Sequence, residues 1–311
     1  MHRKTPVNAA DQFRLPLGRL AEEYGLRIDS MRCLPSRINN VWHLCGPDGA
    51  FVLRQSHSRR SKVSLIFELT VLEALASINC TVPAPVRTKS NKRSLCHCNA
   101  YYSIFRYVDG KSVRSLESAS LTSIGATLKA LHKVSRPMLR PMVRPYVWLV
   151  DEGRRVWLVA RRELPVRLVR CGDEILTNGL STLRSFIGQS SSAVICHNDV
   201  HPGNVINSNN RFFLLDFDDC IPADPAFDLT SAAVSGALLG EKCSPLSVVL
   251  QELQGGYGKS NESFQASINK LLPIVLLIRF SFFFIDSDPN QRRTLQNRFE
   301  RVLHEVRRFQ E

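Results

Sequence analysis

Two short stretches, 193–206 and 212–218, constrain the fold of this chain more than any other part of it. The first sets brief apolar runs, 193–196 and Val205-Ile206, around the polar loop His197-Asn198-Asp199-Val200-His201, which Pro202-Gly203 closes. The second is an apolar run that stops on an acid, Asp216. Between them, Asn207-Ser208-Asn209-Asn210 reads as a hairpin turn. Two strands joined by a tight turn hold His197, Asp199, Asn204 and Asp216 close together. Taken singly, the first half is also what a polar loop capped by Pro-Gly looks like, and the second what a buried strand-end acid looks like. The two in this order and at this spacing say more.

Phosphoryl transfer asks a protein for few groups, but in a fixed arrangement. Kinase catalytic loops carry H-x-D-x-x-x-x-N, and a later strand ends on an Asp followed by Phe. The loop Asp orients the acceptor hydroxyl and takes its proton. The Asn and the second Asp hold Mg²⁺ against the nucleotide phosphates. Here His197-x-Asp199 has Asn204 five residues after the Asp, and Asp216-Phe217 follows twelve residues later, a hairpin's distance. The pattern makes Asp199 the catalytic base and Asn204 and Asp216 the metal ligands, with Asp218 an auxiliary carboxylate.

These segments, with Leu215-Asp216-Phe217-Asp218-Asp219 and then Asp224-Pro225-Ala226-Phe227-Asp228-Leu229, resemble the aminoglycoside phosphotransferase superfamily. That group includes the antibiotic kinases, choline kinases, type II homoserine kinases and a bacterial stress-response protein kinase. The double acid after Phe217 is most similar to the homoserine-kinase and stress-kinase branch. The likeness is strong over 193–234 and fainter over 17–132. It implies an α+β, protein-kinase-like two-lobed fold. Residues 1–107 would form a small nucleotide-binding lobe with an antiparallel sheet and a helix, and 108–311 a large, mainly helical catalytic lobe. ATP and Mg²⁺ are the implied cofactors, held in the cleft. The implied partner is a small-molecule hydroxyl acceptor: an amino acid, an amino alcohol or a hydroxylated antibiotic. Two alternatives stay open, a Ser/Thr protein kinase of the stress-response type and a nucleotide-binding module without turnover.

The N-terminal half fits this layout position by position. Residues 12–24 show helical apolar spacing (Phe13, Leu17, Leu20, Tyr24) and end at Gly25. Strands over 28–34, 40–45 and 50–55 follow. The loop 35–40 takes the place of the phosphate-covering loop, yet contains no glycine; its amides, with the Ser36, Asn39 and Asn40 side chains, are the donors on offer. Arg54 stands where kinases carry the strand lysine that contacts the phosphates. Arginine keeps the charge with a different, forked geometry. Its partner acid is Glu68 on the helix 65–78, with Glu73 as the fallback. Residues 101–110 resemble the strand and hinge between lobes, where Phe105 backs the adenine pocket and the main-chain groups of Arg106 and Val108 face the base. The helix 121–132 matches the long helix of the large lobe and ends on His132, read as structural.

The remainder is less legible. Residues 137–176 are an Arg-rich insert with core candidates Tyr146, Trp148 and Trp157. Asp228 reads as the N-cap of a helix over 229–239, and the family's Asp there braces the catalytic loop. Residues 245–309 read as helical, with Arg279, Phe282 and Asp286 placed to line the acceptor pocket. The formal net charge of +13 suits an anionic ligand. No aromatic-interleaved basic strand or zinc-knuckle spacing points to nucleic acid. Nine scattered cysteines behind a start with no apolar leader imply reduced thiols and a cytoplasmic protein. In a strand, Cys96 and Cys98 would share one face with His97 on the other, a poor chelate. The apolar run 271–285 contains Pro273 and Arg279 and is short for a bilayer, so it reads as a buried helix.

Overall fold

Three successive runs of alternating apolar residues build the first sheet. The computed structural model describes residues 16–36, 38–56, 60–135, 147–187, 193–258 and 261–309. They divide into two compact units. Unit 1 takes the described residues up to Leu69 with Pro83–Tyr107, and unit 2 takes Thr70–Val82 with the chain from Val108 onward.

In unit 1, helix α1 (Leu17–Tyr24) ends on Gly25 in the left-handed conformation, φ 67°. The first part of the expected 12–24 helix, including Phe13, lies outside the described residues. Strands β1 (Ser30–Leu34), β2 (Asn40–Gly46) and β3 (Gly49–Gln55) pair antiparallel in chain order, with Trp42 opposite Leu53 and Val41 opposite Arg54. Gly49 turns the β2–β3 hairpin at φ 113°, which a side chain would strain. After helix α2 (Lys62–Ser77) come β4 (Pro85–Val86), β5 (Leu95–His97) and β6 (Ala100–Arg106). The sheet order is β1-β2-β3-β6-β4, with β5 also paired to β6. Cys98 and Asn99 form the β5–β6 turn with φ of 47° and 59°. Cys98 is therefore a turn residue and does not share a strand face with Cys96, as the sequence had suggested. Leu20 and Tyr24 of α1 bury against Trp42, Leu44, Leu53 and Ile104 of the sheet.

Unit 2 is mainly helical. β7 (Lys111–Ser112) precedes α3 (Ser118–Ser135), α4 (Val147–Ala160) and α5 (Val166–Phe186). The described part of the insert, from Val147 onward, thus lies in two helices, pinned where the Trp157 indole N–H donates to Asp173 at 2.8 Å. Gly172 lets α5 approach that ring; a Cβ there would sit 2.2 Å from it. Tyr146 and the Trp148 side chain lie outside the described residues. Next come β8 (Val194–Cys196), β9 (Val205–Ser208), β10 (Arg211–Leu214) and β11 (Ile221–Ala223). β10, β9 and β7 form one small sheet, and β11 pairs with β8 in another. Asn209 and Asn210, both at positive φ, close the β9–β10 hairpin, and Asn207 Oδ1 accepts the Asn210 N–H.

Helices α6 (Pro225–Leu238), α7 (Leu246–Tyr257), α8 (Glu262–Asp286) and α9 (Pro289–Arg308) complete the unit. α6 is buried from Ala226 to Leu238. α8 packs on α4, α5, α6 and α9. It is the one described helix long and apolar enough to cross a membrane, and 67% of its apolar window is buried inside the fold. Its hydrophobicity serves the core.

Candidate active site

The catalytic-loop candidate begins where β8 ends. His197 is fully buried; its Nε2–H donates to the Leu215 carbonyl at 2.9 Å, and its Nδ1 accepts the Asp199 N–H at 3.2 Å. Its ring meets Phe217 edge-on at 4.6 Å. This imidazole ties the loop to the end of the second strand. Asn198 takes a left-handed φ of 67° and donates its amide to the Asp219 carbonyl. The Asn204 amide donates to the Asp199 main-chain oxygen at 2.9 Å and to its Oδ2 at 3.0 Å.

Asp199 is 27% exposed, with His201 Nε2 and Arg279 Nη1 each 3.5 Å from its carboxylate. Burial alone would raise its carboxyl. The hydrogen bond and charge of His201, with the charge of Arg279, outweigh that and hold Asp199 well below the usual carboxylate range. Arg279 is itself buried and donates to Asn198 Oδ1 at 2.7 Å. Phe283, one turn further along α8, meets the His201 ring edge-on at 6.3 Å. Asp286 is exposed and Phe282 half-buried.

Asp228 does not cap α6. The cap is Asp224, whose side chain accepts the Ala226 N–H at 2.9 Å, one turn earlier than expected. Asp228 lies in the first turn, fully buried, and receives the main-chain N–H groups of His197 (2.7 Å) and Asn198 (2.9 Å). His132 Nε2 donates to the same carboxylate at 3.1 Å, and its Nδ1 is hydrogen-bonded to Tyr257 Oη. Burial would raise Asp228, but the bond from His132 and the Asn198 amide keep it lowered. Asp216 follows β10 at φ 60°, a left-handed conformation that Asp tolerates better than most residues. Its carboxylate is on an exposed residue. The Leu215 N–H donates to Asn204 O at 2.8 Å, so the two metal-ligand candidates sit on directly bonded stretches.

The phosphate-contact candidates belong to unit 1. Arg54 grips Glu68 with both terminal nitrogens, Nη1 to Oε1 at 2.9 Å and Nη2 to Oε2 at 2.5 Å. The Arg54 guanidinium also lies over the Phe105 ring at 4.9 Å. Arg60 Nη2 reaches the same Glu68 Oε2 at 2.8 Å. Ser36 is exposed and Asn39 buried. Asn40 opens β2 and donates its side-chain amide to Gln55 Oε1 at 2.9 Å, so that amide is engaged within the sheet. The Arg106 N–H is likewise engaged, by the Ala84 carbonyl at 2.8 Å. Val108, half-buried, belongs to unit 2.

The profile of the phosphotransferase enzyme family matches residues 32–257, well over half of the chain. The chain belongs to that family. No curated protein sequence matches it. Among solved structures it is similar to amicoumacin kinase hAmiN in complex with AMP-PNP, Ca2+ and Ami (TM-score 0.70, 15% identity, 96% of each chain covered). It is also similar to spectinomycin phosphotransferase APH(9)-Ia in complex with ADP and its antibiotic (TM-score 0.67, 13% identity, 94% of this chain and 93% of that one). A third is the microcompartment-associated aminopropanol kinase (TM-score 0.66, 16% identity, 90% and 92%). These likenesses establish a protein-kinase-like α+β fold.

In this phosphotransferase the sequence had not revealed Arg60, because 55–60 carries no periodic pattern that marks one basic residue over another. Nor did it show that Arg279 touches the candidate catalytic loop: its place in an apolar helix was visible, its partner eighty-one residues earlier was not.

Proposed function

We propose that this phosphotransferase moves the γ-phosphate of ATP to a hydroxyl of a small molecule, an amino acid, amino alcohol or hydroxylated antibiotic. The observation that carries the reading is the setting of Asp199. It is an ionised carboxylate, partly open to solvent, fixed by Asn204 and flanked by His201 and Arg279 on a loop that Asp228 braces. Such a group orients an acceptor hydroxyl and receives its proton as the new bond forms. Because the transition state is loose, a strong base is not required.

The metal would be held by hard oxygens, which suit Mg²⁺. Asn204 supplies one: its amide N–H₂ is fixed on Asp199, which leaves Oδ1 as the remaining side-chain acceptor. The exposed carboxylate of Asp216 supplies the other. When bound, Mg²⁺ neutralises charge on the phosphates. Arg54, oriented by Glu68, is the proposed phosphate contact, with the 35–40 loop donors Ser36 and Asn39 beside it in role; the Asn40 side-chain amide is held by Gln55 instead. Main-chain groups of Val108 are proposed to take the base, the Arg106 N–H being bonded to the Ala84 carbonyl. The nucleotide complexes of hAmiN and APH(9)-Ia support ATP and a divalent ion as the cofactors.

The test is transfer of label from γ-labelled ATP to a panel of small hydroxylated metabolites and antibiotics, with the product identified as a phosphate monoester. Transfer to at least one member is expected. Tight ATP binding with no transfer to any acceptor, protein included, would favour a binding module without turnover.

A further inference from the structure

Asn198 stands between His197 and the proposed base Asp199 at φ 67°, a left-handed conformation that glycine adopts freely and asparagine tolerates better than most other residues. The turn matters on both of its sides. It presents two successive amides, of His197 and Asn198, to the Asp228 carboxylate at 2.7 and 2.9 Å. It also sets the next residue, Asp199, where Asn204 holds it. The Asn198 side chain, on a residue only 3% exposed, uses both of its ends. Its amide donates to the Asp219 carbonyl at 3.1 Å, and its Oδ1 accepts Arg279 Nη2 at 2.7 Å. A side chain bonded at both ends cannot rotate, and the backbone that carries it is held with it.

Arg279 is the distant half of this arrangement. It reaches the loop from α8, and it is buried. Burial works against its charge, while the charges of Asp199, Asp219 and Asp228 support it. Its short contact is nevertheless the neutral oxygen of Asn198; the Asp199 carboxylate lies 3.5 Å away. A charged donor at 2.7 Å makes a strong hydrogen bond, and 3.5 Å is long for one. The geometry directs Arg279 to the turn more than to the base.

We infer that Arg279 is a positioning residue of the transfer reaction: it locks Asn198 in the left-handed turn and so keeps Asp199 in register between Asn204 and the acceptor. The inference rests on the role proposed for Asp199.

The test measures transfer from γ-labelled ATP with Mg²⁺ to the member of the acceptor panel that the wild type labels fastest. Arg279→Met is expected to lower kcat about 10- to 100-fold, with little change in KM for ATP. Asn198→Ala must hold a positive φ without side-chain bonds and is expected to lose a comparable factor. Asn198→Gly, which needs no such support, is expected to lose far less. The deciding measurement is a double-mutant cycle. In the Asn198→Gly background, Arg279→Met is expected to cost much less than in the wild type, because no asparagine side chain is left to hold. An arginine that acts on Asp199 by charge alone would cost the same factor in both backgrounds, and that result overturns the inference. So does an Arg279→Met protein with wild-type kcat. An Asn198→Ala protein as active as Asn198→Gly overturns it too, and this comparison stands even where Arg279→Met fails to fold. A wild type that labels no acceptor, or an Asp199→Ala protein with full turnover, overturns the proposed reaction and the inference together.

Discussion

Asn204 holds Asp199 at two points, the main-chain oxygen at 2.9 Å and the carboxylate Oδ2 at 3.0 Å. The double tie fixes both the turn of the loop and the rotamer of the proposed base. It also orients the amide, so the donor end faces Asp199 and the oxygen end is left for a cation. One residue thereby links the proposed base to the proposed metal position.

Substitution of Asp199 follows from this. Asp199→Asn or Asp199→Ala is expected to abolish measurable transfer while nucleotide binding persists, since the carboxylate is proposed to serve the acceptor side of the reaction. Loss of a general base costs about 10²–10⁴-fold in rate, and loss of orientation adds to it. Steady-state transfer and nucleotide titration on the same purified variant check both halves. Near-full turnover by Asp199→Ala would remove it from the chemistry.

Mg²⁺ dependence separates the two ligand candidates. Asp216→Ala removes the carboxylate proposed as a metal ligand. ATP affinity measured with and without Mg²⁺ is expected to differ in the wild type and to differ much less in Asp216→Ala. Asn204→Asp keeps an oxygen ligand but sets two carboxylates side by side, so it is expected to lower kcat more than it lowers Mg²⁺-dependent binding. A full wild-type Mg²⁺ effect in Asp216→Ala would place the metal elsewhere.

The 197–204 loop was legible in the sequence as a loop because the residues that mark it chemically also shape it. His197, Asp199 and Asn204 are polar groups in a short loop between apolar strands, and the Asn209-Asn210 turn fixes how the next strand returns. The helical lobe was legible as helices, because its apolar spacing is dense. What stayed hidden was long-range pairing. Asp228 looked like a cap because a capping Asp and a bracing Asp at a helix start have the same local signal. Only the fold shows that its oxygens receive amides from thirty residues earlier. Asn40 and Arg106 were assigned by position in a loop and a hinge, and their donors turn out to complete the sheet.

Acid stability should expose the Asp228 brace. Its folded carboxyl is lowered, whereas the unfolded chain titrates it at about 3.9. The carboxylate therefore contributes stability that is fully present above that value and is lost as pH falls below it toward the folded pKa. Asp228→Asn keeps one acceptor oxygen but turns an N–H₂ toward the donors that the second oxygen now serves. A loss of about 3 kcal/mol is expected near neutral pH. Urea midpoints measured from pH 7 downward should start far apart and converge as wild-type Asp228 is protonated. Equal midpoints at pH 7 would show that the brace contributes nothing.

The segment after the second acid bears on what kind of acceptor is used. Protein kinases switch through a phosphorylatable stretch between D-F-G and A-P-E. Here Asp218 replaces the glycine, and 219–227 contains no Ser, Thr or Tyr. That stretch is also fully used by structure: Cys220 is buried, Ile221–Ala223 form β11 against β8, and Asp224 caps α6. No residue remains there for a loop ordered by phosphate–arginine pairing. The enzyme is therefore expected to be active as purified, with its rate unchanged by phosphatase treatment or by prior incubation with ATP, and to prefer small acceptors. A compact catalytic loop does not by itself bar a protein hydroxyl, so protein substrates belong in the same assay. Serine labelling in added proteins, with no small molecule labelled, would transfer the activity to the protein-kinase class.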